Sequence, residues 1–181
     1  MTTQNLNQNL SKIIEDPNIP KYVIENLEKN LVAEIYSYSQ SNYLYSGIKI
    51  YKTRKGYAIL MYYQTYCTNK FGIIMKCIRY TYGAFKVKST ELYDYLKWFL
   101  MKWFDVNEKG EYCYEVLTED NDTSIVCKED SVAKKFLEAL PQFVEAIINN
   151  KQFVLTEGKY AGCIFPSCYV NYAMYTKGEN L

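Results

Sequence analysis

The stretch YLYSGIKIYKTRKGYAILMYYQTYC, Tyr43–Cys67, decides how this chain reads. Isoleucines and tyrosines fill it on both sides of Arg54-Lys55-Gly56. β-Branched and aromatic residues on either side of a short glycine-bearing turn predict a hairpin. The strands run from Tyr43 to Thr53 and from Tyr57 to Cys67, and Gly56 takes the left-handed position of a three-residue loop. Thr68–Gly72 supplies a second turn and Ile73–Tyr82 a third strand. An antiparallel meander is therefore the centre of the fold.

Helical spacing frames it. Ile24, Leu27, Leu31 and Ile35 recur at helical intervals and predict a helix over Lys21–Ser39, after Pro17 and Pro20. Ser89-Thr90 are capping residues for a helix ending near Phe104. That helix is apolar almost all round, so it is buried by the rest of the fold or by a subunit interface on its Trp98 and Met101 side. A last helix starts at Asp130 or Ser131, reaches Asn149 and bends at Pro141. Glu111–Leu117 and Thr123–Cys127 form a hairpin across Thr118–Asp122. Gln152–Thr156 and Tyr160–Tyr175 close the fold as strands, with Gly158, Gly162 and Pro166 as turns. Together these predict a single α+β domain over residues 1–181, mainly antiparallel sheet with about three main helices. Residues 1–11, rich in Asn, Gln and Thr, read as a flexible arm. No secretory leader and no apolar run of bilayer length is evident, so a cytoplasmic protein without membrane contact is expected.

Charge is divided by segment. Between Glu34 and Glu91 there is no acid, and nine Lys and Arg residues share the stretch with eleven of the twenty tyrosines. From Glu91 to Glu138 there are twelve acids against six lysines. Such asymmetry points to a polyanionic partner or to self-complementary assembly. Cations interleaved with rings suit single-stranded RNA or DNA, the cations meeting phosphates and the rings stacking bases. They equally suit a wet sheet face half-filled by tyrosines. The meander brings Lys52, Arg54, Lys55, Lys86 and Lys88 to one edge near Tyr57, Tyr82 and Phe85. Lys76 and Arg79 have opposite parity, so the pattern is a basic edge and not a basic face.

Chemistry is harder to find. The chain has no histidine, which removes the usual neutral-pH base and the commonest metal ligand. No nucleotide-binding glycine loop and no nucleophile elbow occurs. The acidic turn Glu119–Asp122 offers carboxylates for a metal-dependent nuclease, although acids at a hairpin tip are usually only solvated. No catalytic residue, metal or cofactor is assigned. Six cysteines lack the C-x-x-C spacing of zinc or redox sites. The hairpin register sets Cys113 opposite Cys127, at disulfide distance, and Cys163 and Cys168 flank a tight turn. The alternative is that all six are small buried apolar residues.

In length, tyrosine-rich α/β character and segment order the chain resembles the small accessory subunit of crenarchaeal, Sulfolobus-type III-B CRISPR (Cmr) effector complexes. That resemblance implies a dimeric, non-catalytic subunit of an antiviral ribonucleoprotein with other protein subunits as partners. It rests on no short motif, so it carries over no functional residue. An archaeal virus protein serving as a protein-interaction module fits the same character. The sequence thus favours a non-enzymatic binding or assembly subunit, homodimeric, with a basic edge toward nucleic acid or an acidic partner.

Overall fold

The computed structural model describes residues 10–24, 27–160 and 168–179. Among these residues nine strands and four helices make a single α+β domain dominated by antiparallel sheet. The strands are β1 Ile14–Glu15, β2 Leu31–Ser39, β3 Leu44–Thr53, β4 Gly56–Thr68, β5 Ile74–Val87, β6 Glu111–Leu117, β7 Thr123–Glu129, β8 Phe153–Tyr160 and β9 Tyr169–Thr176. The helices are two single turns, α1 Lys21–Ile24 and α2 Leu27–Asn30, and two long ones, α3 Leu92–Phe104 and α4 Ser131–Ile148. Seven strands form one sheet in the order β1-β5-β4-β3-β2-β9-β8, and β6-β7 form a separate hairpin.

The meander forms as its residues dictate. Thr53 pairs with Gly56 across Arg54-Lys55, and Gly56 sits at φ +101°. Helices α3 and α4 pack on each other and on one face of the sheet. Their inward side chains Leu96, Phe99, Phe136 and Phe143 meet Ile48, Ile50 and Ile59 in the main core. Asp130 caps α4 by accepting from the amides of Val132 and Ala133 at 3.0 and 3.1 Å, a contact of about 1 kcal/mol. The helix runs on through Pro141.

The other sheet face is covered only in part. Ile19, Tyr22 and Val23 pack there against Tyr51, Ala58 and Leu60. Across the outer half of β3 and across β2, β9 and β8, no described element covers this outer face, which carries Tyr36, Tyr38, Tyr45 and Tyr169.

Two sequence expectations need correction. Leu31–Ser39 is a strand, so the helix expected over Lys21–Ser39 shrinks to two turns before it. Leu31, Ala33 and Ile35 are buried alternately, and pairing with two neighbours outweighs helical spacing. Gly158 is not a turn but a strand residue paired with Asn171; a side chain there would collide with the Tyr169 ring. Of the expected arm only Leu10 and Ser11 are described, and Leu10 is 6% exposed and part of the core. Gly162, Pro166 and Cys163 lie outside the described residues.

Candidate nucleic-acid interface

The basic edge is built by a bulge. Tyr57 pairs with Val87 and Ile59 with Ala84, so β5 has two residues, Phe85 and Lys86, where β4 has one. Bulges re-aim side chains at sheet edges. Here Lys86 adopts φ +56°, a left-handed conformation that a side chain-bearing residue holds only under constraint. Phe85 and Lys86 line a groove of about 470 Å³ together with Lys12, Ile14, Pro20, Tyr22 and Lys55. Four apolar or aromatic residues and three lysines line it, and among the described residues no acid does.

Specific contacts place Lys55 and Lys12. Lys55 lies over the Tyr22 ring, 4.7 Å from its centroid. Lys12 donates to the Lys86 carbonyl and to Glu91 Oε1, both at 3.2 Å. Glu91 also accepts from the Lys88 amide at 3.0 Å. That backbone bond, followed by Lys12, holds the Glu91 carboxyl below the ordinary carboxylate range. Among the described residues Arg54, Lys55, Lys86 and Lys88 form no ion pair. Among the described residues the buried Tyr22 hydroxyl has no hydrogen-bond partner.

The expected cluster divides between the two sheet faces. Lys55 and Lys86 share the groove with Phe85. Lys52 lies instead over Tyr57, 4.4 Å from its ring, on the face that the helices cover. Tyr57 is 6% exposed and belongs to the core, so it has no face to offer a base. Tyr82 packs edge-on against Trp98, with Lys102 5.4 Å from its ring. Tyr57 and Tyr82 therefore drop out as stacking rings, and Tyr22 and Phe85 take that place. Tyr22 sits in a segment read as helix, which hid its return across the outer face. Lys12 lies between the arm read over residues 1–11 and the helix read from Lys21, where no element was expected. Trp98 and Met101 are half-buried, with Trp98 also against Phe99.

Two other concave regions differ in charge and cover. A cleft of about 490 Å³ between α3, β6, β7 and α4 mixes both signs. Its Lys134–Glu129 pair at 3.2 Å and Lys97–Glu108 pair at 3.9 Å already neutralise much of it. The open tyrosine face holds a groove of about 430 Å³. Beside it Glu34 accepts from Tyr62 at 2.6 Å and Tyr175 at 3.0 Å. Burial, then the Glu34 charge, pushes both phenols above their ordinary range, which keeps them protonated donors at neutral pH.

All described cysteines are disulfide-bonded. Cys113 lies directly opposite Cys127 with a Cα separation of 4.1 Å, in the register that the sequence predicts. Cys168 is also bonded. The sequence reading missed Cys67–Cys77, whose Cα atoms are 6.1 Å apart on a diagonal of the β4–β5 ladder. No cluster of metal-ligating residues occurs among the described residues, the Glu119–Asp122 turn included. Among the same residues no helix is long and apolar enough to cross a membrane. No family model, curated protein or solved structure matches this chain.

Proposed function

We propose that the chain is a non-enzymatic binding subunit that holds single-stranded nucleic acid along its basic edge. One observation carries this reading: a groove that no acid lines among the described residues brings aromatic and apolar side chains together with three lysines. Phosphates meet the lysines, and a base lies against Tyr22 and Phe85. Aromatic stacking contributes about 1–3 kcal/mol per base and tolerates any sequence. The ribonucleoprotein setting rests on the resemblance to the type III-B accessory subunit. The disulfides favour a non-reducing compartment, or the interior of a hyperthermophile, where such bonds persist.

The test is fluorescence anisotropy with a labelled oligouridine over a salt series. Affinity should fall with salt by about 0.7 logarithmic units per decade for each phosphate engaged. Lys55→Ala/Lys86→Ala should lower affinity at least about tenfold and flatten that slope by about 1.4. Salt-independent binding, or a double variant with unchanged slope, would remove the proposal.

A further inference from the structure

We infer that the two projecting hairpins dock on one another between copies of this chain, the basic β4–β5 tip of one against the acidic β6–β7 hairpin of the other. The β4–β5 pair outruns the sheet: β3 pairs with β4 only as far as Tyr63, whereas β4 and β5 stay paired out to Thr68–Ile74. Strand β1 covers β5 only at Tyr82 and Gly83. β6 and β7 pair only with each other among the described residues. Both ribbons thus present open strand edges, which proteins normally cover or blunt.

Both also present apolar side chains far from any core. Phe71 and Ile74 are 76% and 71% exposed, and Leu117 and Ile125 are 69% and 72% exposed. These are rigid ribbons and not loose loops. Cys67–Cys77 staples one and Cys113–Cys127 the other. The Asn69 side chain accepts from Phe71 and Ile73 at 2.9 and 3.0 Å, and Thr118 donates to the Asp122 carbonyl at 2.7 Å. A surface already fixed in shape loses little entropy on docking.

Charge identifies the occupant. The β4–β5 extension carries Lys70, Lys76 and Arg79 and no acid. The other hairpin carries Glu115, Glu119, Asp120 and Asp122, none of them in an ion pair among the described residues. Lys76 and Arg79 point to opposite faces of their strand, so either face of the ribbon meets acids with a cation. Every copy bears both halves, so a second copy always supplies the match. The contact either forms twice about a two-fold axis or propagates head to tail.

Native mass spectrometry and light scattering on the oxidised full chain test this. Wild type should assemble, and more so at low salt. Lys70→Glu/Lys76→Glu/Arg79→Glu should weaken assembly about a hundredfold, because like charges then face each other. Glu115→Lys/Glu119→Lys/Asp120→Lys/Asp122→Lys should do the same. Mixed together, the two variants regain complementarity and should form a complex that contains both. Circular dichroism on each variant establishes that the fold is kept, and Phe71→Ser/Ile74→Ser, which leaves all charges in place, should also give monomer. A monomeric wild type, variants that assemble as wild type does, or a mixture that stays monomeric would each overturn the inference.

Discussion

Strands β4 and β5 hold two different worlds along one ladder. From Tyr57 to Tyr62, β4 is buried on both faces, under α3 on one side and under the Ile19–Val23 segment on the other. From Tyr63 outward the cover thins to polar contacts with the β2–β3 turn, where the Tyr45 amide donates to Gln64 at 3.0 Å and Tyr66 donates to the Asn42 carbonyl at 2.7 Å, and β5 opposite shows Ile74, Met75 and Ile78 to solvent. The residue types hardly change along the way. What changes is cover, and the disulfide appears only in the half where it thins. The inner half is held by burial and the outer half by a covalent staple.

The sharpest way to break this contrast is a matched pair of truncations. Leu60→Ala, at a fully buried position, should cost about 2–5 kcal/mol in urea unfolding. Ile74→Ala should stay within about 0.5 kcal/mol. Equal costs would show that the outer half is packed after all.

The staple is the next lever. Cys67–Cys77 closes a loop of 10 residues and Cys113–Cys127 one of 14. The chain-entropy argument gives each about 3 kcal/mol at most. In Cys67→Ser/Cys77→Ser, hydrogen exchange should accelerate between Tyr63 and Arg79 while β2, β3 and the inner half of β4 stay protected. Loss of protection throughout the sheet would mean that the two halves are one cooperative unit.

Lys86 separates fold from binding. Glycine accepts its left-handed backbone without penalty, so Lys86→Gly should leave stability unchanged or raise it by about 1 kcal/mol. Polyanion affinity should nevertheless fall several-fold. A loss of both together would make Lys86 a packing residue.

The smallest effect concerns Glu91. Its folded-state pKa is depressed, chiefly by the Lys88 amide. The stability it contributes is complete above the ordinary carboxylate range and is lost as pH falls through the lowered value. Glu91→Gln should lower the neutral plateau of a pH–stability curve and flatten its acid side, while stability at low pH stays unchanged.

The same contrast explains what was legible in the sequence. The hairpins were, because turn chemistry fixes register locally: counting back from Thr118–Asp122 places Cys113 on Cys127. One misplaced turn hid the other bridge. With Thr68–Gly72 as the turn, Cys67 and Cys77 lie four positions out of register, whereas the observed pairing of Thr68 with Ile74 makes them diagonal neighbours. Leu31 and Ile35 misled because a spacing of four satisfies a helix face and a strand face alike. Charge gathered near the Arg54–Gly56 loop was visible, but its division between two faces was not. That division depends on the Phe85–Lys86 bulge and on which side the helices cover, and both are set by tertiary packing.

Photocrosslinking bears most directly on the central claim. A bromouridine-substituted oligonucleotide is irradiated with the oxidised protein, and the linked peptides are sequenced. The groove predicts adducts at Tyr22 and Phe85 that disappear at high salt and in Lys55→Ala/Lys86→Ala. Adducts confined to the open tyrosine face at Tyr36 and Tyr45, or none at any salt, would contradict it.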